Sequence, residues 1–321
     1  MTPGETTSAE TSVVIVSYNT RDVLAGCLDA VRRSEGVTIE CFVVDNGSCD
    51  GSPEMVAERF PWVTLIRNPE NRGFAAANNV ALARASAPVW LLLNPDTLVR
   101  PDTIARLRAG LVASPEIGIA GPRVLNGDGS LQSCGYWYPT LMREIRQSKN
   151  VDRGLRVLVG KEPESPDPGV PQDVDWVDGC CLMIRRAAAE QVGLLDEQFF
   201  LYAEELDWCR SVRAAGWRIR TVPDAVMVHL LGKSSEQVKP WALALLIETR
   251  LRYYRKQDGL VTALLVALVY AFGCWRRWRH EPDKSRAKLT GIAQWWRALR
   301  HGDLRPRVRR VEPRRDPVEA G

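Results

Sequence analysis

The stretch Ser12-Val-Val-Ile-Val-Ser-Tyr-Asn19 decides the fold. It is a run of mostly β-branched apolar residues that stops on Ser17-Tyr18-Asn19, and a helical spacing (Val23, Leu24, Cys27, Leu28, Val31) starts directly after it. Apolar residues without polar alternation are expected of a strand covered on both faces. The unit then repeats. Residues 38–44 form a second buried-strand pattern, closed by Asp45-Asn46-Gly47-Ser48. A short helix over 54–60, a third strand over 63–66, and an Ala-rich helix over 73–85 follow. Residues 89–93 are a fourth strand ending in Asn94-Pro95-Asp96, and Pro101 suits the first turn of a helix running to about residue 112. Strands alternating with amphipathic helices predict an α/β fold with a Rossmann-like, mostly parallel central sheet. Ligands of such sheets bind beyond the carboxyl ends of the strands, where Ser17, Asn19, Asp45 and Asp96 all fall.

Composition agrees with a packed domain. The chain has 321 residues, 45% hydrophobic and 26% charged, which excludes a disordered, collagen-like or polytopic membrane protein. Its net charge of +4 is unevenly spread: from Arg250 onward there are 18 Lys/Arg against 7 Asp/Glu, so an acidic body precedes a basic end. The eight cysteines show no CxxC spacing and several lie in apolar runs, as expected of reduced, packed thiols in the cytoplasm. The polar first eleven residues carry no apolar core of a signal peptide and read as disordered.

Beyond residue 139 the pattern loses its period and becomes rich in Pro and acidic residues, so 139–175 reads as a loop or insertion. Order returns over 174–184. A helix over 203–215 ends at Gly216, and short strands over 217–222 and 225–228 close on His229. After residue 236 the chain reads as helices over 241–256, 260–279 and 285–300, then a disordered basic tail over 302–321. The uncharged stretch 259–275 is 17 residues long, short of the roughly 20 needed to cross a bilayer. Arginines flank it, and Trp275, Trp278, Trp295 and Trp296 are aromatics of the kind that favour a membrane interface. Residues 241–300 are therefore expected to lie on the inner face of the cell membrane as a peripheral attachment.

Each polar cluster admits a structural and a chemical reading. Asp96, at a strand end, can hold Mg²⁺ or Mn²⁺ and through it a diphosphate, or simply cap the next helix. Asp45 can accept the imide N–H of a pyrimidine, or close an Asx-turn. Asn71-Arg72-Gly73-Phe74, opening a helix that includes Asn78, offers backbone N–H groups and a guanidinium to an anion. Glu204, Glu205 and Asp207 crowd one helix start, where carboxylates are favoured by the dipole; one of them can act as base toward an acceptor hydroxyl. Helical spacing puts Glu204 and Asp207 on one face and points Glu205 elsewhere. His229 is a structural residue or a metal ligand.

In this order, Val-Ile-Val-Ser-Tyr-Asn19, Val-Val-Asp45-Asn-Gly-Ser, Asn71-Arg-Gly-Phe-Ala, Leu-Leu-Asn94-Pro-Asp96, Asp178-Gly and Phe-Phe-Leu-Tyr-Ala-Glu-Glu-Leu-Asp207 resemble the family-2 inverting glycosyltransferases of GT-A fold. The bacterial rhamnosyltransferase-like branch is the best match, over about residues 12–232, in a domain taken as 12–235. The resemblance implies a nucleotide-sugar pocket of Ser17, Asn19, Asp45, Asn71, Arg72, Gly73, Asn78 and Asn94. It implies metal ligation by Asp96 and His229, acceptor or sugar contacts from Asp178, Glu204 and Asp207, and Glu205 as catalytic base. Asn94 stands where the family's DxD motif begins. L-rhamnose from dTDP-rhamnose is the implied transfer, to a lipid-linked or polysaccharide acceptor; UDP-galactofuranose, UDP-glucose and UDP-N-acetylglucosamine are alternative donors. No GxGxxG or GxxxxGK[ST] favours a dehydrogenase or a P-loop enzyme. A non-catalytic glycan- or nucleic-acid-binding role for the basic end leaves the acidic motifs without purpose, and no nucleic acid partner is expected.

Overall fold

A computed structural model describes residues 8–147, 165–230 and 240–301. The expectations for the first seven residues, for the middle of the 139–175 insertion, for 231–239 and for the tail from 302 lie outside the described residues.

The chain runs β1 (Thr11–Ser17), α1 (Arg21–Arg32), β2 (Ile39–Asp45), α2 (Ser52–Arg59), β3 (Thr64–Arg67), α3 (Phe74–Leu82), β4 (Val89–Leu93), β5 (Thr97–Val99) and α4 (Thr103–Val112). It continues through β6 (Ile117–Leu125), β7 (Leu131–Ser133), α5 (Leu141–Gln147), β8 (Cys181–Arg185), α6 (Arg186–Val192), α7 (Glu204–Ala214) and β9 (Arg218–His229). Two long helices end it, α8 (Pro240–Arg277) and α9 (Pro282–His301). One sheet holds every strand in the order β3-β2-β1-β4-β8-β6-β9-β5, with β7 added on β6. β1 to β4, β6 and β9 share one direction, while β5, β7 and β8 oppose them.

β1 is buried throughout, and its side chains alternate between two cores. Val13 and Ile15 pack with Leu24, Leu28 and Ile104 on the face covered by α1, α2 and α4. Val14 and Val16 pack with Ala77, Leu82 and Trp208 on the face covered by α3, α6 and α7. Each such aliphatic side chain contributes about 1.5–3 kcal/mol by leaving water, which holds the strands in register and their carboxyl ends in line.

Three expectations change. Residues 218–229 form one strand, because β9 absorbs Pro223-Asp224 at a register shift opposite Pro122/Arg123 instead of breaking there. A helix, α5, occupies part of the stretch read as loop. The strands β5, β6 and β7 also appear after Asp96, where only a helix was read. α8 is broken at Gly259 (φ 87°, ψ 170°), which matches the boundary expected between the helices 241–256 and 260–279. Seven of the eight cysteines are buried, and all are free thiols.

Candidate active site

Strand pairing assembles the site. Ser17 pairs with Asp45 across β1 and β2, and Ile15 pairs with Leu93 across β1 and β4. Asp45 and the Asn94–Asp96 turn thus leave the same sheet edge, with one strand between them and roughly 10 Å of separation at strand spacing. Across β5 and β9, Thr97 pairs with His229, and the Leu230 N–H donates to the Asp96 carbonyl at 2.8 Å. His229 is carried to Asp96 by backbone, and its Nε2 lies 3.1 Å from Asp96 Oδ1. On the other side β8 brings in Asp178: Leu93 pairs with Cys181, and Asn94 N–H donates to Cys180 O at 2.9 Å.

The helix with the acidic start completes the cluster. Tyr202 (φ 71°) and Ala203 (φ 69°) both adopt the left-handed conformation just before Glu204, an arrangement that costs energy in residues with a Cβ. This turn drives the first residues of α7 toward Asp178. A Cβ at Gly179 would lie 3.4 Å from the Glu205 side chain, so the glycine leaves room for it. Burial, then the negative charge of Asp178, pushes the Glu205 carboxyl up to about 7. Burial and then Glu205 hold Glu204 well above the ordinary carboxylate range. Burial likewise raises Asp178, against the Tyr136 O–H, which donates to its Oδ2 at 3.2 Å. Asp178, Asp96 and Glu205 all act on the buried Cys180 thiol, which their charges help to keep protonated. Carboxylates from three separate motifs, Asp96, Asp178 and Glu205, therefore lie around Cys180. Glu205, which spacing alone pointed elsewhere, faces Asp178.

The pocket at Asp45 is built mainly by asparagines. Asp45 Oδ2 accepts the Ser48 N–H at 3.2 Å, while the buried Oδ1 has no partner and is available to a ligand donor. Asn19 (φ 53°) accepts Cys49 N–H at 2.9 Å and donates its own N–H to Ser48 Oγ. Ser17 is fully buried with its hydroxyl against Thr20 at 2.8 Å. Asn46, to which the sequence pattern assigns no role, is the hub. Its Nδ2 donates to Asn71 Oδ1 and Gly73 O, and its Oδ1 accepts from Asn68 and from the Arg72 N–H. Asn78 donates to Phe74 O and leaves its buried Oδ1 unpartnered.

Two expectations are corrected here. The backbone N–H groups of 72–74 do not form an open anion cradle. Arg72 N–H goes to Asn46 Oδ1, Gly73 N–H to Asn71 Oδ1, and Phe74 N–H to Phe200 O at 2.6 Å. Gly73 (φ 85°) is required because a Cβ would collide with the Phe200 carbonyl and ring. Only the exposed Arg72 guanidinium, 3.9 Å from Glu197, is left to meet an anion. Asp207, expected to meet acceptor or sugar, has both oxygens taken: Lys256 Nζ and Gln257 Nε2 of α8 each donate at 2.7 Å. It docks the C-terminal helix onto the helix that carries Glu205. Sequence reasoning also passed over Gln132, whose Nε2 lies 3.0 Å from His229 Nδ1, and Tyr136.

The pair Asp96–His229 fits a divalent cation. It offers one oxygen and one nitrogen, mostly buried (15% and 8% exposed), at a spacing close to the roughly 3 Å between neighbouring ligands of an octahedral ion. No group of three or more candidate ligands exists among the described residues, so water or the oxygens of a bound ligand would complete the shell of an ion held there.

The known proteins that this chain resembles include glycosyltransferases. Residues 12–160 match the family described as glycosyl transferase family 2. The N-acetylglucosaminyl-diphospho-decaprenol L-rhamnosyltransferase of Mycobacterium tuberculosis is 29% identical over 239 residues, covering 68% of this chain and 75% of the relative. The dTDP-rhamnosyl transferase RfbF of Shigella flexneri is 24% identical over 251 residues, covering 77% of this chain and 78% of the relative. Among solved structures, the mannosyltransferase PcManGT of Pyrobaculum calidifontis, in complex with GDP-Man and Mn²⁺, superposes with a TM-score of 0.57 at 20% identity. It covers 92% of this chain and 80% of that one, a likeness of fold. Residues 12–160 thus carry the sequence pattern of glycosyl transferase family 2, the chain is similar to rhamnosyltransferases over more than two thirds of its length, and its fold is the GT-A fold of solved glycosyltransferases.

Proposed function

We propose that the protein transfers L-rhamnose from a dTDP-linked donor to a lipid-linked acceptor at the membrane surface, with inversion at the anomeric carbon and with a divalent cation. The observation that carries this reading is the convergence of Asp96, Asp178 and Glu205 around Cys180 at the carboxyl edge of the sheet, with His229 against Asp96. The names of the two rhamnosyltransferase relatives support the sugar, and the decaprenol in one of them supports a lipid-linked acceptor.

In this mechanism Asp45 Oδ1 accepts the ring N–H of the thymine, and Arg72 meets the diphosphate. Asp96 and His229 would hold Mg²⁺ or Mn²⁺, which neutralises the departing nucleoside diphosphate. Glu205, poised near neutrality, takes the proton of the acceptor hydroxyl as its oxygen bonds to the anomeric carbon. The bond to the donor phosphate breaks on the opposite face, and its electron pair leaves with the diphosphate. A single displacement of this kind inverts the centre, through an oxocarbenium-like transition state as in glycoside hydrolysis.

The C-terminal helices supply the membrane contact in this reading. Beyond the break at Gly259, the side chains of Val261, Leu265, Leu268, Phe272 and Trp275 form one exposed stripe, with Val261 71% and Trp275 73% exposed. The helical piece 260–277 is about 27 Å long, marginal for a crossing, and α9 folds back after it. It lies in the interface with its arginines toward lipid headgroups.

A thermal-shift panel of nucleotide sugars with Mg²⁺ and Mn²⁺ tests the donor. Saturating dTDP-rhamnose with metal is expected to raise Tm by about 5 °C, more than UDP-galactofuranose, UDP-glucose or UDP-N-acetylglucosamine. A larger shift from a UDP-sugar would reassign the donor, and no shift from any would contradict donor binding.

A further inference from the structure

Gln132 occupies a position that pairing alone does not explain. Across β6 and β7, Val124 pairs with Ser133 but Leu125 pairs with Leu131, so Gln132 is the extra residue of a bulge. Bulges beside active sites commonly re-aim one side chain. Here the side chain reaches over the strand that neighbours β9, and its Nε2 lies 3.0 Å from Nδ1 of His229. An amide nitrogen can only donate, so in this arrangement Nδ1 accepts and the ring proton sits on Nε2, facing Asp96 Oδ1. An Nε2 that carries a proton has no lone pair for a metal. The other half of the amide, Oε1, is buried and has no partner. No second contact therefore fixes which way the amide faces.

We propose that Gln132 is the positioning residue of the cation site. Its amide turns by a half rotation, so that Oε1 accepts a proton from Nδ1 and leaves the Nε2 lone pair of His229 to the cation. The proton count is unchanged: the imidazole stays neutral and its one N–H moves from Nε2 to Nδ1. Metal-bound histidines are generally held through their second nitrogen in this way, and loss of that partner weakens binding. The inference rests on the reading of Asp96 and His229 as the cation pair. It adds that the bulge in β7 exists to present an amide which can serve either tautomer.

Binding of Mn²⁺ alone, followed by loss of the free-ion electron paramagnetic resonance signal, tests it on the full chain. Q132L is expected to weaken Mn²⁺ binding by about 10- to 100-fold, while Q132E, whose carboxylate also accepts from Nδ1, keeps it within about threefold. In ¹⁵N-histidine spectra, the wild-type His229 is expected to shift to the Nδ1–H tautomer on adding Mg²⁺, and Q132L is expected not to. Wild-type Mn²⁺ affinity in Q132L, with binding lost in D96N and H229A, would overturn the role of Gln132 and leave the cation pair standing. Unchanged affinity in D96N and H229A would overturn the cation pair and this inference with it.

Discussion

At the residue scale the proposed mechanism depends on how Glu205 is held. Its carboxyl is pushed up to about 7 by burial and by the charge of Asp178, so it is half ionised near neutral pH and active as a base only when ionised. The rate should fall on the acid side of about pH 7. Removing the Asp178 charge removes a repulsion that disfavours the ionised base, which lowers the Glu205 value. The acid limb of the kcat profile in D178N is accordingly expected to move to lower pH, even where the maximum rate is reduced. A limb that stays in place or moves up would show that Asp178 does not act on the base. The family resemblance singled out Glu205, but helical spacing alone left Glu204, Glu205 and Asp207 open because it ranks faces without knowing what covers each one. The answer lies fifty residues later, where Lys256 and Gln257 claim Asp207.

At the element scale, the first four strands were legible because burial on both faces writes an unbroken apolar run. β6 was not, since Gly118, Gly121 and Pro122 interrupt it, and β5 and β7 are only three residues long. The asparagine network around Asn46 was hidden for another reason: hydrogen bonds between loops have no period in sequence. The junction of α7 with α8 is likewise a matter of tertiary contact. Asp207 is 4% exposed and Lys256 41%, with Arg210 bound to Asp258 one turn further along α7. K256A leaves the buried Asp207 with Gln257 as its remaining partner, at a cost of about 1–3 kcal/mol. Chemical denaturation should show that loss; a change under about 0.3 kcal/mol would mean that the ion pair does not dock α8.

At the scale of the whole molecule, an acidic catalytic body joins a basic helical end, an asymmetry that composition alone made visible. What composition could not show is that the apolar stripe on 260–277 is left bare while the rest of α8 packs against α9 and the body. L268E places a charge in the middle of that stripe. Sedimentation with vesicles containing anionic lipid is expected to drop several-fold in this variant, with the solution fold intact. Equal sedimentation would remove the stripe from membrane attachment. The central claim, that one set of gathered carboxylates performs a single displacement, is tested most directly by nucleoside diphosphate release in wild type and E205Q, with donor affinity measured alongside. Unchanged donor affinity and turnover reduced by about 10²-fold or more are expected; near-normal turnover in E205Q would contradict the account.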